Sequence, residues 1–113
     1  MTKSQKTEKY RNKLVESLLR QKIIKKIEIE KAFRTVNREL FLPNFPLSEV
    51  YADASVITKT IGVTPVSSST SPSLMALMLD ILDLKSGQKV LEIGTGTGYN
   101  AAILAEIIGN QEN

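Results

Sequence analysis

A glycine-rich segment of the 113-residue chain carries the residue types and the spacing that could hold a ligand. An apolar run, Val90–Ile93, precedes glycines at alternate positions, Gly94, Gly96 and Gly98, and a new apolar periodicity begins at Tyr99. This order predicts a buried strand, a tight turn and a helix. Alternating glycines allow positive φ and a close approach of ligand to backbone, and the helix that follows offers free N–H groups. The segment therefore predicts a cradle for a small polar ligand, although a glycine-rich turn without a ligand fits the same residues.

The spacing of the glycines narrows the class of ligand. A dinucleotide fingerprint Gly-x-Gly-x-x-Gly would need glycine at position 99, where the chain has Tyr99, and the Gly-Lys-Ser/Thr of a phosphate loop is missing. The remaining pattern, Glu-x-Gly-x-Gly-x-Gly from Glu92, resembles the first motif of class I S-adenosylmethionine-dependent methyltransferases. The resemblance implies that the glycine segment passes beneath the amino-acid part of S-adenosyl-L-methionine and that the acidic residue lies close by. The residues expected to bind the cofactor here are Glu92, Gly94, Gly96 and Gly98.

The densest run of hydroxyl side chains precedes Pro72. Ser71 is a favourable helix N-cap, and proline is favoured at the first helical position. One hydroxyl is enough to cap a helix, so the others need a different explanation: either a ligand or a flexible serine-rich linker. These additional hydroxyl residues are Ser67, Ser68, Ser69 and Thr70.

Composition excludes several classes of function. The chain has no cysteine and no histidine, which removes disulfides, thiol nucleophiles and the commonest metal ligand and general base, so no metal site is expected. Its apolar runs are shorter than the roughly 20 residues needed to span a bilayer. We therefore expect a cytoplasmic protein that is neither secreted nor membrane-spanning. Residues 1–38 carry twelve Lys and Arg against four Glu. Because Glu16, Glu28 and Glu30 interrupt this basic block, it favours a solvated helical surface over a nucleic-acid site.

Apolar periodicity places the elements that come before the hydroxyl run. Residues 1–7 read as a frayed tail, a first helix is expected from Glu8 to about Gln21, and a second around Phe33, so that residues 1–40 form an N-terminal helical lobe. Residues 41–70 contain proline and β-branched residues and predict an extended connecting segment wrapped over the later domain. Asp53 lies in this segment, where it is expected to cap a turn or to support a pocket.

The sequence pattern of residues 71–113 predicts the first part of a Rossmann-like α/β domain. A helix from Pro72 closes before Lys85–Gly87, and a final helix runs from Tyr99 to about Ile108. A broad apolar face of the earlier helix suits packing on a sheet: Leu74, Leu77, Met78, Ile81 and Leu82. The buried face expected for the later helix is Ala101, Leu104, Ala105 and Ile108. The second parallel strand and the ribose-binding acid of doubly wound folds do not follow. We therefore expect an α/β fold made of an N-terminal helical lobe and a truncated Rossmann-like class I methyltransferase domain.

Three blocks together resemble the protein-L-isoaspartate (D-aspartate) O-methyltransferase family: Val36–Pro43, Tyr51–Asp53 and Ser68–Tyr99. In that family a Thr-Ile-Ser-x-Pro segment lines the pocket for cofactor and substrate, and its serine is assigned to the active site. Aligned on the proline, that serine falls on Thr70. The resemblance thus implies Thr70 as the catalytic residue and adds to the expected cofactor-binding set Ser67, Ser68, Ser69, Thr70 and Ser73.

The chain departs from the family pattern at Asn37, Ser69 and Thr70, where the family has proline, an apolar residue and serine. The triple serine and the Gly-Tyr-Asn-Ala-Ala segment resemble the branch of the family found beside ribosomally made, modified peptides. The implied reaction is methyl transfer to an isoaspartyl or aspartyl carboxylate of a protein or peptide. Such a carboxylate is ionised at neutral pH and is itself the nucleophile, so hydroxyls that align it suffice without a general base.

Two other readings remain open. The chain could be a non-catalytic binding module that docks through an exposed sheet edge, or a small basic nucleic-acid binder that uses residues 1–38. A lone parallel strand leaves its hydrogen-bonding groups unpaired, which predicts self-association or a partner chain that completes the sheet. By itself, such a chain is expected to bind cofactor weakly or not at all.

Overall fold

The computed structural model describes residues 1–109. Helices and strands are few and short, apart from one long N-terminal helix. The elements in chain order are α1 (Lys3–Arg20), α2 (Ile27–Thr35), a 3-10 helix (Arg38–Phe41), α3 (Leu47–Val50), β1 (Val56–Ile61), β2 (Thr64–Ser69), α4 (Pro72–Leu82) and α5 (Tyr99–Ile108).

Helix α1 begins earlier than the sequence predicted. The Thr2 side chain accepts a hydrogen bond from the Gln5 N–H, and the Gln5 side chain accepts one from the Thr2 N–H, so the two residues form a capping box. This reciprocal cap satisfies two donors that would otherwise destabilise the first turn. The expectation of a frayed tail over residues 1–7 is therefore wrong from Lys3 onward.

The core lies between the N-terminal helices and α5. Phe33 of α2 is buried, and its ring meets the ring of Tyr99, the first residue of α5, edge to face with centroids 6.4 Å apart. Aromatic pairs in this arrangement stabilise beyond the area that they bury. Helix α2 thereby fixes the point where α5 begins, directly after the glycine segment.

Strands β1 and β2 form an antiparallel hairpin, in which Ile61 pairs with Thr64 across a two-residue turn. Gly62 has a φ of 62° there, as two-residue hairpin turns require. Among the residues of β1 and β2 only Val56 and Ser69 are buried. Within the segment 41–70 the hairpin is extended as predicted, whereas α3 (Leu47–Val50) is a short helix that the prediction did not include.

Helices α4 and α5 start where the sequence predicted, with Ser71 as N-cap of α4 and Gly98 before α5. Apart from Leu104, which is buried as predicted, their buried faces differ from the prediction. In α4 the buried residues are Pro72, Met75, Ala76 and Leu79, and in α5 they are Tyr99, Ile103, Leu104 and Ile107. The predicted sheet-packing face of α4 is instead exposed: Leu74, Leu77, Met78, Ile81 and Leu82. Both helices pack on α2, and a helical neighbour selects a different stripe than a sheet would.

The predicted buried strand over Val90–Ile93 is not formed. Leu91 is 85% exposed and Ile93 is 89% exposed, although their sequence has strand character. A strand is stable only beside a partner, and within residues 1–109 only β1 and β2 pair. The apolar run therefore lies on the surface next to the site described below.

The basic N-terminal region is partly neutralised within the chain. The Arg34 guanidinium lies 2.8 Å from a Glu16 carboxylate oxygen and 2.9 Å from one of Glu30, and the Lys26 ammonium lies 2.7 Å from Asp83. These contacts are typical of a solvated helical surface. Within the described part of the chain no helix is long and apolar enough to cross a membrane. No cluster of three or more His, Cys, Asp or Glu side chains in residues 1–109 is arranged to hold a metal ion.

Candidate functional site

A cavity of about 150 Å³ lies between the end of β2, the first turns of α4 and the glycine segment. It joins two separate parts of the chain, residues 68–78 and residues 92–100. Its lining residues are Ser68, Ser69, Thr70, Met75, Met78, Glu92, Gly94, Thr95, Gly96, Thr97 and Asn100. The structure thus places six of the predicted site residues around one space: Ser68, Ser69, Thr70, Glu92, Gly94 and Gly96.

The glycine segment takes a left-handed backbone at each alternate position, with φ of 75° at Gly94, 61° at Gly96 and 92° at Gly98. A Cβ added at Gly94 or Gly96 would meet no other atom within 4 Å. Packing within the chain therefore does not explain the glycines there, whereas the backbone conformation does. The open side of the segment is the wall of the cavity.

Gly98 differs from the other two glycines. A Cβ there would lie 3.6 Å from the Phe41 ring, and Gly98 is the N-cap of α5, with no side-chain cap. Its N–H donates to the Thr95 carbonyl at 3.1 Å, and the Tyr99 N–H donates to the Thr97 hydroxyl at 3.3 Å. Gly98 lies outside the cavity lining and closes the turn that leads into the helix.

Glu92 is turned toward the start of α5. The Asn100 side-chain N–H donates to Glu92 Oε2 at 2.7 Å, while Glu92 Oε1 is buried and has no hydrogen-bond partner among the described residues. A buried acceptor without a donor is costly unless something fills it. Glu92 lines the cavity, and this oxygen is the part of its carboxylate that lacks a donor.

The hydroxyl run has a regular structure and is not a flexible linker. Ser67 and Ser68 are exposed on β2, Ser69 is buried, and the Thr70 carbonyl accepts a hydrogen bond from Arg38 Nη2 at 3.4 Å. Thr70 is thereby held at the junction between the hairpin and α4. Ser67 points outside the cavity lining.

Asp53 and Ser73 act together at the start of α4. The Asp53 carboxylate accepts a hydrogen bond from the Ser73 backbone N–H at 2.8 Å, and the Ser71 hydroxyl accepts one from Leu74 at 3.4 Å. Both oxygens cap free N–H groups of the first turn. Asp53 is thus a helix cap, one of the roles expected for it, and Ser73 lies outside the cavity lining.

Sequence reasoning missed two polar side chains that shape this region, Asn100 and Arg38. Asn100 is the second residue of α5, so a polar residue in an otherwise apolar helix, next to the glycine segment, was an available signal. Arg38 gave no such signal, because arginine is mostly exposed in proteins and its burial here depends on tertiary packing.

Burial controls the electrostatics beside the site. It lowers the pKa of the Arg38 guanidinium and raises the pKa of the Tyr99 hydroxyl to about 12. The Arg38 guanidinium carbon lies 4.6 Å from the centroid of the Tyr99 ring, which is a cation–π geometry. Tyr99 is therefore neutral at physiological pH, and its ring stabilises the buried Arg38 cation next to the start of α5.

The family model described as Protein-L-isoaspartate(D-aspartate) O-methyltransferase matches residues 8–113. The chain belongs to this family. Its relatives include a protein-L-isoaspartate O-methyltransferase of Methanothermobacter thermautotrophicus, 41% identical over 99 residues that cover 88% of this chain and 43% of the relative. A Thermotoga maritima protein of the same name is 45% identical over 84 residues, 74% of this chain and 26% of the relative. The family resemblance predicted from three sequence blocks is confirmed.

Solved structures of the family agree with the fold class. One protein-L-isoaspartate O-methyltransferase superposes with a TM-score of 0.77 at 41% identity and covers 89% of this chain and 31% of that one. A Plasmodium falciparum protein of this description, in complex with S-adenosyl-L-homocysteine, superposes with a TM-score of 0.70 at 27% identity over 89% of this chain and 43% of that one. The chain therefore spans less than half the length of the family relatives that it matches.

Proposed function

We propose that this chain contributes a methyl-transfer site that uses S-adenosyl-L-methionine and modifies an isoaspartyl or aspartyl carboxylate of a protein or peptide. The observation that carries the proposal is the single cavity lined by both Thr70 and the glycine segment. The names of the relatives and the S-adenosyl-L-homocysteine in the Plasmodium falciparum structure support it.

The cavity suits the amino-acid end of the cofactor. Glu92 Oε1, buried and without a partner, is a suitable acceptor for an ammonium group, and the backbone at Gly94 and Gly96 is free of side chains. At about 150 Å³ the space is smaller than the roughly 300–1,000 Å³ of pockets that enclose drug-sized ligands. We therefore assign to these residues the binding of the amino-acid part, with Gly98 holding the turn.

The hydroxyl side chains of residues 68–70 are suited to orienting the carboxylate that accepts the methyl group. When bound, the cofactor supplies an electrophilic methyl group on its sulfonium. The α-carboxylate of an isoaspartyl residue and the side-chain carboxylate of an aspartyl residue both have a pKa of about 4 or lower and are already nucleophiles, so the protein has to orient the carboxylate and exclude water. We assign this task to Thr70, helped by Ser68 and Ser69, which donate hydrogen bonds to the carboxylate or to its flanking backbone.

Substitution of Thr70 tests the activity. Thr70→Val keeps the branched shape and removes the hydroxyl, so methyl transfer from labelled S-adenosyl-L-methionine to an isoaspartyl peptide should fall roughly 10²-fold, as for loss of one positioning donor. Thr70→Ser retains the donor and should stay within about threefold of the original rate. The same assay with the aspartyl isomer of the peptide distinguishes two functions. Methylation of the isoaspartyl peptide alone indicates damage repair, and methylation of the aspartyl peptide indicates peptide maturation.

Two results would count against this assignment. Equal rates for Thr70→Val and the unaltered chain would remove Thr70 from the mechanism. A folded sample that methylates neither peptide would contradict the activity of this chain as it stands.

We further propose that the chain self-associates through the exposed face of α4 and the neighbouring residues 90–93. Ile81 is 74% exposed, Leu91 85% and Ile93 89%, and exposed apolar groups of this kind mark interaction surfaces when they lie together. The unpaired backbone of residues 90–93 offers strand pairing to a second copy.

The mass of the particle in solution tests this association. Light scattering after size exclusion should report an oligomer at tens of micromolar, and Ile81→Asp should shift it toward the monomer. Ile61→Asp is the matched control, because Ile61 is 68% exposed but lies on the hairpin. A monomer at every concentration would contradict self-association, and dissociation by the control alone would assign the contact to the hairpin.

A further inference from the structure

Arg38 is a buried cation that lacks an acidic partner. It is the first residue of the 3-10 helix and is fully buried. Among residues 1–109 no carboxylate oxygen lies within 4.0 Å of its guanidinium. Buried charges are normally paired, because removing them from water is costly. A different requirement must therefore keep this arginine in the core.

The contacts of Arg38 join separate segments of the chain. Its Nε donates to the Val50 carbonyl at 2.8 Å and its Nη2 to the Thr70 carbonyl at 3.4 Å. The guanidinium carbon lies over the Tyr99 ring, 4.6 Å from its centroid. Thr70 is on one wall of the cavity, and Tyr99 follows the glycine segment that forms the other. Arg38 thus contacts Thr70 on one wall and the residue that directly follows the other wall, without lining the cavity itself.

The chemistry of arginine fits this role better than that of lysine. A guanidinium offers donors in several fixed directions and stacks on aromatic rings, whereas an ammonium is a point charge on a flexible stem. The backbone N–H of Arg38 also donates to the Tyr51 hydroxyl at 3.1 Å, which anchors the base of the side chain. The remaining donor, Nη1, is buried without a partner, so the arrangement is not one that optimises hydrogen bonding alone.

We propose that Arg38 is a positioning residue that fixes Thr70 at a set distance from the glycine segment. It does not touch the cavity and acts through the Thr70 carbonyl and the Tyr99 ring. The effect on catalysis rests on the proposed methyl transfer, whereas the effect on geometry does not.

The first test needs no ligand. In folded Arg38→Met, a variant of similar volume, the ¹³C signal of the Thr70 carbonyl and the ring signals of Tyr99 should shift together. Arg34→Met is the matched control, because Arg34 lies in surface ion pairs with Glu16 and Glu30 and should leave both signals in place. Unchanged signals in Arg38→Met would overturn the proposal.

Arg38→Lys keeps the charge and covers the case in which the methionine variant does not fold. It should shift the same two signals, because an ammonium cannot hold both the carbonyl and the ring. If both Arg38 variants unfold, Arg38 is a core residue and the positioning role is overturned.

The second test measures methyl transfer. The turnover number of either folded Arg38 variant should fall about tenfold while the affinity for S-adenosyl-L-homocysteine changes less than about twofold, since misplacement of a positioning group acts on the rate. Equal losses in both quantities would contradict a role through Thr70. If the unaltered chain transfers no methyl group, the proposed function fails, and the carbonyl and ring signals alone decide the position of Thr70.

Discussion

Gly96→Ala is expected to weaken binding of S-adenosyl-L-homocysteine at least about tenfold, whereas Gly62→Ala should leave it unchanged. The two glycines form a matched pair: φ is 61° at Gly96 and 62° at Gly62, and a Cβ at either would meet nothing within 4 Å. Both substitutions place a side chain in the left-handed region, at a cost of roughly 1–2 kcal/mol. Of these two glycines only Gly96 lines the cavity. The methyl group added in Gly96→Ala, unlike that in Gly62→Ala, therefore occupies space in which we propose that the ligand binds.

The pair separates strain from ligand contact. Thermal unfolding should show similar losses of stability for the two variants, and a ligand titration should distinguish them. Equal affinities in Gly96→Ala and Gly62→Ala would mean that the glycine segment does not face the cofactor.

Phe33→Ala is expected to remove about 3–5 kcal/mol from the free energy of unfolding. Phe33 is buried in α2 and contacts the Tyr99 ring edge to face, so the substitution leaves a cavity and loses an aromatic pair. Domains of this size are stable by only about 5–15 kcal/mol, so the variant should lose a large fraction of its stability. Urea unfolding followed by circular dichroism measures the change.

Tyr10→Ala is the control for the loss of an aromatic residue, because Tyr10 is exposed on α1. It should change the free energy of unfolding by less than about 0.5 kcal/mol, as is usual for surface positions. A Phe33→Ala variant as stable as Tyr10→Ala would show that α2 does not hold the start of α5.

Features with a local cause were predicted from the sequence. Ser71 and Pro72 cap and start α4 as expected, and the apolar spacing around Phe33 placed α2. Caps and periodicity act within one or two turns, so the chain's local order determines them. The capping box at Thr2 is equally local but was overlooked.

Features that need a distant partner were not predicted. The run Val90–Ile93 has the composition of a buried strand, yet a strand forms only when another strand lies beside it. The face of α4 predicted to pack on a sheet is exposed for a similar reason, because no sheet packs on it within residues 1–109. The sequence pattern of these residues is that of buried residues, whereas in the structure they are exposed.

The residues of the candidate site show the same difference between what a local motif indicates and what depends on folding. The glycine segment and Thr70 were selected from motif and family resemblance, and the structure places them around one cavity. Asn100 and Arg38 were not selected, because their roles depend on Glu92 and on the Thr70 carbonyl being brought to them by folding.

The central claim is that one cavity accepts the amino-acid end of the cofactor, and a titration with S-adenosyl-L-homocysteine followed by amide NMR signals tests it most directly. This measurement detects binding even at millimolar dissociation constants, about −4 kcal/mol. If the cavity binds this end of the cofactor, the signals of Ser68–Thr70 and of Gly94–Gly96 shift together along one saturable curve. A folded sample whose signals stay in place, or shift only outside these two segments, would contradict it.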